Sequence, residues 1–521
     1  MEQDRLYFDE TKYIVRTLEL EGREITYRAY EDLVYCRRPV DPIQKMNIFV
    51  PDFYYTDARG RGHDLRTAPI FMPNTVGGYM PGPADRPGYD AEGRVNAIFC
   101  ALEHGYVVAS PGIRGRSSGR AGNEYFKGGA LHAETVDTGR NLGKAPALIV
   151  DLKAAVRYLR YNKERIPGDT DHIITNGTSA GGALSAMGGA TGNSEDYEPY
   201  LKEIGAAEAP DDIFAASCYC PVHNLEHSDM AYEWQFAPCR DYYHTRQVIC
   251  DGGLSTSVEK GIMSDEEIEV SSRLKDLFPE YLNSLGLRSP DGEPLRLSPD
   301  GTGSFLDYVK LCLRKSAQLE LACGASASRL QQMGAGACPV QRQAFLEIRN
   351  GQVVSIDWEL YVRSITRMKT APAFDGLDLS RPENKEFGES DLMLTGKSDH
   401  TRATIDARHF TEFSYRNSTV GGEMAEESVI RMINPIYYVG QADTCRYWRI
   451  RHGMFDRDTS VVIPMILALT LENQGYSVDF EVPWGMPHSG DYDLDELFEW
   501  IDDICSEDAE NIREVCPSGG R

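Results

Sequence analysis

Basic residues are scarce in this sequence: 54 Lys and Arg stand against 80 Asp and Glu, a formal charge of −26 with His neutral. Such a surface repels phosphates, which argues against nucleic acid and anionic membranes as partners and says little about a neutral substrate. Long apolar runs are missing too. Nowhere is the sequence continuously apolar for the length that a bilayer requires, and Met1-Glu-Gln-Asp-Arg-Leu-Tyr-Phe-Asp9 has no basic segment leading into an apolar one. Neither a membrane span nor a signal peptide is expected, and the chain reads as cytoplasmic. The 12 cysteines lack the spacing of a small disulfide domain. Cys100, Cys218 and Cys312 stand inside apolar runs and are expected as buried free thiols. Metal motifs are also wanting. His223-Asn-Leu-Glu-His227 has two imidazoles at i,i+4 spacing just after Cys218-Tyr-Cys220, but there is no H-E-x-x-H and no second cysteine pair at finger spacing, so no metal site is expected. No repeat or low-complexity tract occurs.

What is present begins with length. At 521 residues and 41% hydrophobic content the chain exceeds one ordinary core, so an α/β domain with a large insertion is expected. Polar and apolar residues alternate from Lys12 to about Tyr55, as in an antiparallel sheet edge. Strand and helix patterns then take turns: a strand at Ile70-Phe-Met72, a helix over Arg94–His104 stopped by Gly105, and a strand over Tyr106–Ile113. An amphipathic helix over Ala147–Arg160 and a strand over Asp171–Asn176 follow. This alternation predicts a mostly parallel sheet covered by helices on both faces. It stops near Val222 and resumes with strand-like Pro435–Val439 and Cys445–His452. The expected division is therefore a core from residues 1–221 and 426–521, with an inserted lid domain over 222–425 that is too long to be a plain loop.

The most informative segment is Gly177-Thr-Ser-Ala-Gly181, a G-x-S-x-G between the run Asp171–Asn176 and the small-residue run Gly182–Gly189. That strand–turn–helix setting distinguishes a nucleophile elbow from a chance match. The turn demands strained backbone at the serine and Gly-sized neighbours two positions away. With Ser179 as nucleophile, an acid and then a histidine should follow in chain order. Of the 11 histidines, only His488 follows the last acid loop, between the strand-like Tyr476–Val482 and the helical Tyr492–Ile501. The acid belongs after the strand Cys445–His452, where Asp456 is the first candidate and Asp458 its competitor, Asp458 being placed also to cap the next helix. An oxyanion hole would use the Ala180 N–H and one from Gly77 or Gly78, the glycine pair after Ala68–Asn74.

Taken together, Gly177–Gly182, Met72-Pro-Asn-Thr-Val-Gly-Gly78, Trp448–Gly453 with Asp456–Ser460, and Pro487-His-Ser-Gly490 resemble the bacterial tannases, or tannin acylhydrolases. The resemblance runs from about Lys12 to the helix near Cys505. It implies an α/β-hydrolase core with a large inserted lid, acting on gallate esters without metal or organic cofactor. It places the triad on Ser179, Asp456 and His488, and the galloyl-binding residues on Lys369, Glu383 and Asp458, with Glu386 as the neighbouring carboxylate in Arg381–Gly388. Carboxylates can accept from phenolic hydroxyls, and an ammonium can donate to their oxygens. A feruloyl or general carboxylesterase on the same core would not need that cluster. A prolyl-oligopeptidase-like peptidase would carry its extra domain ahead of the core, and a catalytically dead binding module would have no reason to keep all three triad residues.

Overall fold

The computed structural model describes residues 5–56, 62–90, 92–120, 123–127, 130–134, 137–250, 253–331, 344–391 and 405–515. Nine strands form its central sheet: β1 (Ile14–Leu20), β2 (Arg23–Leu33), β3 (Met46–Pro51), β4 (Pro69–Pro73), β5 (Val107–Pro111), β6 (Asp169–Thr178), β7 (Ala215–Tyr219), β8 (Tyr447–Arg451) and β9 (Ser477–Glu481). Their spatial order is β1-β2-β3-β5-β4-β6-β7-β8-β9. The first three strands pair antiparallel, as the alternating pattern at that edge predicts, β3 also pairs antiparallel with β5, and every pairing from β5 through β4 to β9 is parallel. β3 through β5, β7 and β8 are buried along their whole length, as strands covered on both faces should be. This is an α/β-hydrolase sheet. Its strands come from either side of residues 225–432, and none of the described residues in that range joins it.

Local signals set the helices that flank it. Helix α1 (Ala97–His104) starts where the Asn96 side chain accepts from the Phe99 N–H and stops at Gly105, which adopts the left-handed conformation at φ 100°. Helix α2 (Ala147–Tyr161), expected to be amphipathic, is instead buried all round from Ala147 to Leu159. Its charged residues are paired inside the protein: Asp151 with Arg114 at 2.8 Å, Lys153 with Asp211 at 2.6 Å, and Arg157 with Asp211 at 2.7 Å. Helix α3 (Ala180–Ala190) is built of small residues and lies wholly buried behind the elbow. The segment Pro435–Tyr437, expected as strand, is a 3-10 turn; two consecutive residues after Asn434 are fixed by proline and by the Asn434 cap on the Ile436 N–H. Among the described residues no helix is long and apolar enough to cross a membrane.

His223 precedes the helix α4 (Leu225–Phe236) and is fully buried, its pKa pushed down to about 3 by burial, while His227 stacks on Tyr281 at 3.7 Å. Cys218 is buried and Cys100 and Cys312 are partly so, all three as free thiols.

Candidate active site

β6 ends in the elbow. Ser179 has φ 62° and ψ −122°, a region L-residues rarely occupy, and its N–H donates to the Tyr219 carbonyl of β7 at 2.9 Å. The flanking glycines are sterically required. A Cβ on Gly177 would lie 2.4 Å from the Gly181 carbonyl oxygen, and one on Gly181 would lie 2.7 Å from that of Val76. Asn74, at the end of β4, braces the turn: its Nδ2 donates to the carbonyls of Asn176 (3.0 Å) and Gly181 (3.1 Å), and its Oδ1 accepts from the Val76 N–H at 3.2 Å. That leaves the following glycines, Gly77 and Gly78, to line a cavity of about 330 Å³ together with Ser179 and His488.

The acid and the histidine arrive on two loops that are stitched together. The N–H groups of Met454 and Phe455 donate to the carbonyls of Pro483 and Met486, both at 3.0 Å. Gly453 permits this approach, because a Cβ there would sit 2.3 Å from the Pro487 carbonyl oxygen. The result is a 2.6 Å hydrogen bond between His488 Nδ1 and Asp456 Oδ2, with Asp456 fully buried. The other Asp456 oxygen accepts from the N–H groups of Asp458 (2.8 Å) and Thr459 (3.3 Å), fixing the carboxylate plane. Burial alone would raise the Asp456 pKa, but the His488 and His452 charges and these hydrogen bonds hold it well below the usual carboxylate range. His488 moves the other way: burial opposes its charge, yet Asp456 and Asp458 raise its pKa well above the ordinary value. Its Nε2 has no hydrogen-bond partner among the described residues and lies 3.7 Å from Asp458 Oδ2.

Asp458 does not cap the next helix, whose N-cap is Val461 with no side-chain bond. It turns instead toward Lys369, whose Nζ is 3.3 Å from its Oδ1 and 4.1 Å from the centre of the Phe374 ring. Glu383, in the first turn of the short helix Pro382–Glu386, is buried with its pKa raised by burial against the pull of Lys369. The structure thus brings Lys369, Glu383 and Asp458 together beside His488. Glu386 is buried nearby, neither carboxylate oxygen hydrogen-bonded among the described residues, and burial pushes its pKa to about 8.

Two neighbours of the dyad escape the sequence reading. His452 Nδ1 lies 3.7 Å from Asp456 Oδ2, its pKa pushed down to about 4 by burial, and Cys220 packs against His488 while donating to the Ser489 carbonyl at 3.5 Å. The i,i+4 spacing of His452 and Asp456 was the available signal; Cys220 had none. The ligand atoms of Cys220, His452 and Asp456 fall within 4.8 Å of one another. A metal ion there would compete with His488 for the same carboxylate, so these residues read as part of the dyad's surroundings.

A serine elbow at the C-terminal end of a central strand, with acid and histidine on later loops, defines an α/β-hydrolase. Comparison with known proteins carries this further. The BD-FAE family model matches residues 140–218, the stretch that holds the elbow. The esterase LipC of Mycobacterium tuberculosis is 41% identical over 58 residues, which is 11% of this chain and 14% of that protein, so the chain spans only a small part of that curated relative. Solved structures match almost end to end. The tannase of Lactobacillus plantarum is 43% identical with a TM-score of 0.85, over 96% of this chain and 100% of that one. The tannase of Fusobacterium nucleatum is 44% identical with a TM-score of 0.84, over 96% and 99%. A tannin acyl hydrolase in complex with ethyl gallate is 44% identical with a TM-score of 0.83, over 96% and 99%. The chain belongs to the tannase family, and it is a carboxylic ester hydrolase.

Proposed function

We propose that this protein is a serine esterase that hydrolyses galloyl esters of tannins and simple gallate esters to gallic acid and an alcohol. One observation carries the reading: a single imidazole, His488, is held by Asp456 at 2.6 Å and stands 3.7 Å from Asp458 in a buried Lys369–Asp458–Glu383 cluster suited to phenolic hydroxyls. The relative in complex with ethyl gallate supports the substrate class. In this reading His488 takes the proton of Ser179, whose Oγ attacks the ester carbonyl. The N–H groups of Ala180 and of Gly77 or Gly78 stabilise the oxyanion. The imidazolium returns the proton to the alcohol as the C–O bond breaks, and water then releases the acid from the serine by the same steps in reverse roles.

The ring hydroxyls, bound by Lys369, Glu383 and Asp458, place the carbonyl at Ser179, so these residues contribute by positioning. Residues 222–425, which supply Lys369 and Glu383 to a site built on strands of the core, act as the lid. The LipC match, confined to a short stretch, favours the broader alternative of a general carboxylesterase. Both readings need Ser179. Ser179→Ala should lose on the order of 10⁴ to 10⁶ in kcat on methyl gallate while still binding gallic acid, because nucleophile and hydroxyl-binding groups are separate. Turnover near the wild-type rate in the purified variant would end the serine-esterase reading.

A further inference from the structure

Lys369 reaches the site on a loop, residues 366–381, between the helices Trp358–Ile365 and Pro382–Glu386. The buried backbone of such a loop needs partners from its neighbours. Helix α4 supplies them. Its residues Asp229, Tyr232 and Glu233 stand three and four apart, share one face and are buried. The two Asp229 oxygens accept from the N–H groups of Phe374 (2.8 Å) and Asp375 (2.9 Å). Tyr232 Oη accepts from the N–H groups of Met368 (3.0 Å) and Lys369 (3.1 Å). Glu233 Oε1 holds Arg367 Nη2 at 2.6 Å, and Arg367 Nε donates back to the Lys369 carbonyl at 2.7 Å.

Tyr232 makes one more bond. Its O–H donates at 2.9 Å to the carbonyl of Arg457, the residue between Asp456 and Asp458. The phenol oxygen donates once and accepts twice, its full capacity, and so joins the backbone of Lys369 to the backbone of the acid loop. A longer connection runs beside it: Arg457 Nη2 donates to the Tyr243 carbonyl at 2.8 Å, and the Tyr243 N–H to the Arg367 carbonyl at 3.2 Å. We propose that Tyr232 is the positioning residue that sets Lys369 against Asp458, and through them the preference for hydroxylated acyl groups, an assignment that rests on the galloyl-ester reading. Asp456 has other supports, the bond to His488 and the ties that Met454 and Phe455 make to the histidine loop. Loss of the Tyr232 hydroxyl therefore disturbs recognition far more than the triad.

The test is a ratio measured on the whole protein: kcat/KM for methyl gallate divided by kcat/KM for methyl benzoate, in wild type, Tyr232→Phe, Asp458→Asn and the double variant. The ratio cancels differences in the folded fraction. Phe keeps the ring and removes Oη, which leaves two N–H groups and a carbonyl without that partner. A small misplacement of binding groups costs up to about a hundredfold, so the ratio should fall about ten- to hundredfold in Tyr232→Phe, nearly all of it on methyl gallate. In the double variant the ratio should stay within about threefold of that in Asp458→Asn, because both changes disable one pair. Tyr197→Phe removes another buried hydroxyl, one that donates to the Met432 carbonyl at 2.6 Å, and should leave the ratio unchanged. Where Tyr232→Phe does not fold, Asp229→Asn loosens the same loop and should lower the ratio too. An unchanged ratio, an equal loss on both esters, or losses that multiply in the double variant would overturn the positioning role alone. A wild-type ratio near one would overturn the galloyl reading beneath it.

Discussion

Replacing Asp458 by Asn keeps the side chain's size and removes one charge from the middle of the proposed site. In the native protein that charge faces the Lys369 ammonium, with Nζ at 3.3 Å, and the His488 imidazole at 3.7 Å. Two separable effects should follow. The first is on recognition. A hydrogen bond to an ionised acceptor is worth roughly 1.5–3 kcal/mol and one to a neutral acceptor roughly 0.5–1.5, so the substitution should cost about 1–2 kcal/mol, or about 5- to 30-fold in kcat/KM for methyl gallate. The second is on pH dependence. His488 works as a base only when neutral, and its raised pKa means that activity is lost as pH falls through a value above the ordinary imidazole one. Asp458 is the second of the two carboxylates that raise it, so Asp458→Asn should move the acid limb of kcat/KM to lower pH. Steady-state rates on methyl gallate across the acid and neutral range, in wild type and variant, read both effects. An acid limb that stays in place or moves to higher pH would refute the electrostatic reasoning. A loss near 10⁴ in kcat would mean that Asp458, and not Asp456, orients the histidine.

Asp456→Asn should lower kcat roughly 10⁴-fold with little change in the binding of gallic acid, because the amide no longer fixes the His488 tautomer; a loss under tenfold would remove Asp456 from the triad. Gly453→Ala places a Cβ 2.3 Å from the Pro487 carbonyl and should push the acid and histidine loops apart. A destabilisation of about 1–3 kcal/mol with a fall in kcat is expected, measured by denaturant unfolding and by turnover; a variant of wild-type stability and rate would show that the loops do not depend on that contact.

Much of this site was legible because its demands on the backbone are strict. The elbow needs small residues at Gly177 and Gly181, and the order of strands after it leaves few loops for an acid and a histidine. The core strands were readable for the same reason: buried β-branched runs alternating with helices fit one sheet. Other features depended on tertiary partners that no local pattern encodes. The helix Ala147–Tyr161 carries Asp151, Lys153 and Arg157 and so looks amphipathic, yet Arg114 and Asp211 neutralise those charges inside the core. Pro435–Tyr437 has strand-forming side chains, but the Asn434 cap turns it into a 3-10 segment. Asp458 could by its position either cap a helix or join Lys369, and only the fold decides: the helix begins after Val461 and the carboxylate faces Lys369. Cys220 reaches His488 from β7's end through the fold alone.

In the proposed mechanism Lys369, Glu383 and Asp458 read the hydroxyls of an aromatic acid held at Ser179. The most direct test is the ratio of kcat/KM for methyl gallate to that for methyl benzoate, in wild type and in Glu383→Ala. A buried polar site left without its partners rejects the analogue lacking them by up to about 10⁴ to 10⁵. A wild-type ratio approaching that range is expected, with methyl 3,4-dihydroxybenzoate between the two esters and a smaller ratio in Glu383→Ala. A wild-type ratio near one would contradict it, leaving an esterase whose pocket does not distinguish a hydroxylated ring from a bare one.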